Sequence, residues 1–160
     1  MILYRKLKHL IIDFFEWLGF IHRYRWHVNG DSDRLILADK EILKGERTGY
    51  ANVLFNTRSG YVYIGKNVIF GHDCQILTGR HIDNYSSPLT FKPTPSEGYD
   101  INIKDGVWIT SRVIVTGGVT IGENTTVLPG SVVTKDLPSN SIVGGVPAKF
   151  LRLKVLRDDG

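Results

Sequence analysis

Five side chains in this sequence can exchange a proton near neutral pH: His9, His22, His27, His72 and His81. His81 differs from the rest in its setting. It closes a run of regularly spaced apolar residues and opens a stretch rich in serine and proline, which would hold it on stiff backbone at the mouth of a loop. A neutral imidazole there can take the proton from an attacking hydroxyl. Its second nitrogen then needs an acceptor to fix the tautomer, and Asp83 or a backbone carbonyl would serve. A loop-base histidine with no chemistry is the alternative reading of the same residue. His72 falls two residues past an inward-facing position and reads as a surface group. His9, His22 and His27 belong to an N-terminal segment and read as structural or interfacial. Cys74 is the only cysteine, so no intrachain disulfide can form, and its place among the inward positions predicts a buried filler rather than a reactive thiol. Lys135, Lys149 and Arg152 are either a solvated basic C-terminal region or contacts for an anionic ligand.

What positions these residues is a repeat of six. A large aliphatic residue recurs at Ile103, Ile109, Val115, Ile121, Val127 and Val133, and a second apolar or small residue stands two places earlier each time, at Ile101, Val107, Val113, Val119, Thr125 and Ser131. The same double register is present upstream as Val62/Ile64, Val68/Phe70 and Cys74/Ile76. Gly65, Gly71 and Gly122 directly follow the large residue. Two inward residues around one outward residue make a very short strand. The remaining residues turn a corner, where glycine and asparagine tolerate positive φ. Three such units close a triangular coil of about 18 residues, and coils stack at the strand spacing of about 4.8 Å, so that the aliphatic residues form continuous inner columns. No coil buries its own apolar side, and the array is the stable unit. In this register Trp108, between Val107 and Ile109, points outward.

The register breaks once. Ile82 is still in phase, and the next inward pair, Ile101/Ile103, is three residues out. The gap over 83–100 holds Ser86, Ser87, Pro88, Pro93, Pro95 and Gly98, which is loop chemistry. A long loop thrown out of a rigid array commonly carries function. Residues 35–60 show interrupted hexads and predict one or two irregular first coils. Asn56 lies there as a candidate for contact with a substrate. Further upstream, Leu3, Leu7, Leu10, Phe14, Trp17 and Ile21 step by three or four residues and predict an amphipathic helix over 2–24. The chain therefore divides into an N-terminal helical segment, 1–30, and a β domain, 31–160, with a loop at 83–100 and a C-terminal tail.

Composition agrees with a turn-dense β domain: 17 glycines in 160 residues exceed the usual share of about 7%. The lone cysteine predicts a reducing compartment, and no cleavage site follows the N-terminal apolar run. Asp13 and Glu16 interrupt that run, so it cannot span a bilayer. Its basic residues suit a helix packed on the domain, on a neighbouring subunit, or on an anionic membrane surface. The expected location is the cytoplasm, with peripheral contact to the inner membrane through residues 2–24 as an option. The net charge of +4 comes with no nucleic-acid-binding motif.

The stretch 62–152 resembles the hexapeptide-repeat acetyltransferases, in particular the maltose and galactoside O-acetyltransferases and their relatives in polysaccharide biosynthesis. Three motifs carry the likeness: Ile76-Leu77-Thr78-Gly79-Arg80-His81, Val107-Trp108-Ile109-Thr110-Ser111, and Gly130 to Pro138 with Gly144-Gly145-Val146-Pro147-Ala148-Lys149. The resemblance implies a mainly β fold, a left-handed parallel β-helix, assembled as a homotrimer with active sites between neighbouring helices. It implies acetyl-CoA as co-substrate, direct transfer without an acyl-enzyme, and no metal. His81 matches the catalytic histidine. Ser111 matches a residue whose backbone touches the pantetheine arm, and Lys135, Lys149 and Arg152 match the basic groups around the nucleotide. Trp108 would line the substrate site or pack at the trimer interface, and Asn56 and Asp83 are further candidates for the acceptor side. Pro129 departs from the family, where alanine is common and its N–H meets the pantetheine; proline has none. The acceptor implied is a sugar hydroxyl, on a small molecule or a lipid-linked sugar, with a sugar amine or an amino acid hydroxyl as alternatives. Two rivals share the fold. A γ-type carbonic anhydrase needs three histidines on one zinc, and the hexads offer only His72 and His81. A non-catalytic scaffold would leave His81 and the third motif without purpose.

Overall fold

The computed structural model describes residues 26–38, 52–79 and 95–155. Each inward–outward–inward triplet folds into a strand of a few residues. In chain order these are β1 (Trp26–Asn29), β2 (Leu35–Leu37), β3 (Val53–Asn56), β4 (Val62–Ile64), β5 (Ile69–Phe70), β6 (Cys74–Leu77), β7 (Ile101–Ile103), β8 (Trp108–Ile109), β9 (Ile114–Thr116), β10 (Val119–Ile121), β11 (Thr126–Val127), β12 (Val132–Val133), β13 (Ser141–Gly144) and β14 (Lys149–Leu153). Successive strands go to three different sheets, ordered β1-β3-β6-β9-β12, β2-β4-β7-β10 and β5-β8-β11-β13-β14. All pairings are parallel except that of β13 with β14. The result is the three-faced parallel coil expected of a left-handed β-helix.

All nine inward pairs read from the sequence are buried, from Val62/Ile64 to Ser131/Val133. Where the inward residue is polar, its hydroxyl is spent on a nearby carbonyl: Thr125 Oγ1 donates to Pro138 O (2.6 Å), Ser131 Oγ to Leu128 O (2.6 Å) and Ser141 Oγ to Pro138 O (2.7 Å). A buried hydroxyl without such a partner would cost free energy. Cys74 is 1% exposed, and its thiol donates to Thr110 O at 3.0 Å; burial pushes its pKa up, so it is the filler expected.

The corners obey a backbone rule. The residue just before the first inward position takes positive φ at Asn67, Asp73, Gly106, Arg112, Gly118, Asn124, Gly130 and Asn140. Glycine, asparagine and aspartate are the residues that visit this region routinely, and Arg112 is the exception.

Coil lengths differ along the axis. Ile101 stands beside Val119, Trp108 beside Thr126 and Ile114 beside Val132, a repeat of 18 residues. Upstream, Trp26 stands beside Val53 and Val53 beside Cys74, repeats of 27 and 21. The second of these swells at Thr57–Gly60, where Thr57 and Ser59 are themselves buried. Val62 pairs with Ile101 across 39 residues, so the strands on either side of the inserted segment keep their register in the stack. The insertion's length is not a multiple of six, which is why the sequence phase shifts while the sheet register does not.

β1 already pairs with β3. Trp26–Asn29 thus belongs to the β array, ahead of the boundary read at 30, because four residues are too few for alternation to show in sequence. The helix read over 2–24, His81, Asp83 and most of the loop at 83–100 lie outside the described residues. No helix among the described residues is long and apolar enough to cross a membrane.

Candidate functional site

The corner that joins the β5-β8-β11 face to the β6-β9-β12 face carries a cleft. Three successive turns contribute to it: His72 and Asp73, then Ser111 and Arg112, then Pro129 and Gly130, around a volume of about 500 Å³. Ladder bonds hold its walls. Arg112 N–H donates to His72 O (2.7 Å), Gly130 N–H to Ser111 O (3.1 Å), and the Ser111 hydroxyl accepts from His72 N–H (3.1 Å). The floor is tight, since a Cβ at Gly71 would lie 2.5 Å from Ser111 N. The upper rim is open, since a Cβ at Gly130 would meet nothing within 4 Å. Ser111 and Pro129, both singled out in the sequence, face this one cleft.

A second corner joins the β3-β6-β9-β12 face to the β4-β7-β10 face. Asn56 ends β3 there, and its Oδ1 accepts from Arg58 N–H (3.0 Å). Thr78 Oγ1 donates to Asn56 O (2.7 Å) and accepts from Ser59 N–H (3.1 Å). Gly79 lies against the Asn56 amide, where a Cβ would come within 2.7 Å of Nδ2. Gly79, two residues before His81 in sequence, therefore stands directly over Asn56. The return leg is fastened on the same side. Tyr99 N–H donates to Ser59 O (3.2 Å), Asp100 Oδ1 accepts from Tyr61 N–H (2.8 Å), and Arg34 Nη1 donates to Ser96 O (2.6 Å). The Arg34 guanidinium also lies 5.5 Å from the centre of the Tyr61 ring.

The remaining candidates are spread over the prism. Trp108 points outward from β8, 48% exposed, with Ile69 and Thr126 as strand neighbours. Lys149 and Arg152 are exposed on β14, opposite Gly144 and Ile142. Lys135 is exposed on the second corner, between β12 and Leu137, which bridges to Ile121. One chain thus gathers Ser111, Pro129 and, on the adjoining face, Trp108, Lys149 and Arg152. It keeps Asn56 and Lys135 on a different corner. The sequence reading passed over Arg112 and gave Asp73 no role. The corner position of Arg112, occupied elsewhere by glycine, asparagine or aspartate, was the available sign.

Residues 100–135 match the family pattern of the bacterial transferase hexapeptide, six repeats. A relative from Schizosaccharomyces pombe is 46% identical over 94 residues, 57% of this chain and 42% of its own length. The galactoside O-acetyltransferase of Escherichia coli K12 is 35% identical over 116 residues, 66% of this chain and 51% of its own. The chain thus spans about half the length of these curated relatives. Among solved structures, a hexapeptide-repeat acetyltransferase from Vibrio cholerae O1 biovar eltor, complexed with acetyl coenzyme A, superposes with a TM-score of 0.61 at 28% identity, covering 80% of this chain and 64% of that one. Hexad register, sheet pairing and sequence likeness agree: residues 100–135 carry the bacterial transferase hexapeptide pattern, and the chain is similar to hexapeptide-repeat acetyltransferases, galactoside O-acetyltransferases among them.

Proposed function

We propose that this protein transfers an acetyl group from acetyl-CoA to a sugar hydroxyl, in the building of a cell-surface polysaccharide. The observation that carries the reading is the corner cleft, in which Ser111 and Pro129 stand one coil apart on a hexapeptide β-helix. The pantetheine arm would lie along this corner, with Lys149 and Arg152 toward the nucleotide end. Pro129 offers no N–H, so a pantetheine amide has to find its partner elsewhere in the cleft.

His81 would act as general base. It takes the proton from the acceptor hydroxyl as that oxygen attacks the thioester carbonyl. The tetrahedral intermediate then collapses, the carbon–sulfur bond breaks, and the CoA thiolate recovers the proton from the imidazolium. Asp83 or a carbonyl would orient the ring. Direct transfer fits the burial of Cys74, the only cysteine, which cannot reach a thioester from inside the coil. Asn56, which lies against Gly79, two residues before His81 in sequence, would contact the acceptor.

The division of candidates between two corners favours a shared site. In a homotrimer, the Ser111 corner of one chain would face the Asn56 and Lys135 corner of the next, and Trp108 would line the cleft between them. A monomer in light scattering with acetyl-CoA present would rule this arrangement out. The function itself is tested by screening sugar acceptors with acetyl-CoA and reading free thiol. Acceptor-dependent thiol release is expected. A protein whose melting temperature ignores acetyl-CoA, and which releases no thiol, is a scaffold instead.

A further inference from the structure

Of the eight corner residues with left-handed backbone before an inward position, seven are glycine, asparagine or aspartate, and the eighth is Arg112 at φ +59°. That conformation crowds the Cβ of an L-residue against its own carbonyl. Asparagine and aspartate offset the cost with short local hydrogen bonds, and a long side chain does not. Backbone held in such a region at a cleft points to work done by the side chain. The side chain of Arg112 is exposed and lines the cleft. Its guanidinium has no hydrogen bond or ion pair among the described residues; only its main-chain N–H is engaged, by His72 O. The carboxylate beneath it is Asp73, one coil below in register, since Gln75 stands beside Ile114. Asp73 Oδ1 instead accepts from Asn52 Nδ2 at 3.1 Å. Above stands Gly130, with open space where a side chain would be.

Height along the axis separates Arg112 from the other candidate cations. Lys149 and Arg152 lie on β14, three strands above β8 in the sheet, or roughly 14 Å at the usual spacing. Arg112 therefore stands on the middle turn of the cleft, well below the cations proposed for the nucleotide, beside the stretch where the neutral pantetheine arm and the acetyl group would lie. We propose that Arg112 binds an anionic group on the acceptor, a carboxylate or a phosphate carried by the sugar. The inference rests on the reading of this cleft as the transferase site. A planar guanidinium matches both anions with paired hydrogen bonds.

The test uses the full chain as wild type, Arg112→Asn and Arg112→Lys. Asparagine suits the corner backbone and removes the charge. Binding of glucose, glucuronate and glucose 6-phosphate is measured by calorimetry, and turnover of each with acetyl-CoA by thiol release. Wild type should favour one of the anionic sugars over glucose, and which one it favours separates carboxylate from phosphate. Arg112→Asn should lose roughly tenfold or more for that sugar, as expected for one charge-assisted contact. Glucose binding and the acetyl-CoA KM should stay within about twofold, and neither melting temperature nor assembly mass should fall. Arg112→Lys should retain part of the preference. Equal binding of all three sugars by wild type overturns the proposal. So does a mutant that keeps the anion preference, that weakens acetyl-CoA instead, or that melts lower or dissociates. If anion discrimination at Arg112 is found but no acceptor releases thiol, the anion site stands and the transferase reading falls.

Discussion

From Ile101 to Val133 the strands β7, β8 and β9 each meet a neighbour 18 residues on, whereas between Trp26 and Leu77 the corresponding steps are 27 and 21. Both regions bury the same kind of inward pair, yet they tolerate insertion differently. In a stacked coil each turn touches only its neighbours, so surplus residues can be expelled at a corner while the strands above and below stay in register. The corner that holds Asn56 takes three extra residues after β1 and three after β3, and the remaining six of the 27-residue step lie between β2 and β3. The uniform coils instead give the opposite corner an evenly stepped wall, suited to an extended ligand such as a pantetheine arm. On the proposed function, the cofactor would lie along the regular coils, and acceptor contacts would come from both regions, from Asn56 on the irregular corner and from Arg112 on the regular one.

The strongest way to break that assignment is His81→Ala. A positioned general base contributes about 10²–10⁴ in rate, so kcat should drop at least a hundredfold while the protein still folds and binds acetyl-CoA. Retention of more than about a tenth of the activity would place the base elsewhere, with His72 next in line. Wild-type kcat/KM should fall as pH drops through the histidine range.

Core truncation probes the two regions by stability. Ile109, fully buried among uniform coils, should cost about 2–5 kcal/mol on change to alanine. Leu37, half-buried in the first described coil, should cost less than half of that, because fewer neighbours are lost. Equal losses in denaturant melts would show the first coil to be as well packed as the rest.

Lys135→Ala should raise the KM for acetyl-CoA roughly tenfold and leave the acceptor KM nearly unchanged, as one charge-assisted contact would. Movement of the acceptor constant alone would assign the lysine to the other ligand, and with it the second corner.

The smallest effect concerns Cys74. Its pKa is raised chiefly by burial, so the unfolded chain ionises first as pH climbs. The contribution to stability is whole below the ordinary thiol value and is lost above it as pH rises toward the folded-state value. At neutral pH the thiol should resist a disulfide reagent until the coil unfolds, and rapid labelling of the native protein would show the inner column to be open.

Much was legible from the sequence because facing is a local property. Alternation within a hexad decides which residue points inward, and so the nine pairs, the burial of Cys74 and the outward Trp108 could be read without any knowledge of the stack. What stacks on what is not local. Val62 pairs with Ile101 across an insertion whose length breaks the hexad phase, and only long-range pairing shows that the phase is recovered. The same pairing decides that Ser111 and Pro129 share a cleft, that Asn56 and Lys135 lie on another corner, and that Trp26–Asn29 joins the sheet. It also puts Arg112 directly above Asp73 on a strained turn, with a guanidinium that has no partner among the described residues. The hexads set each residue's direction by short-range sterics, and the corner it occupies depends on the sum of all the insertions before it, which only the closed coil makes definite.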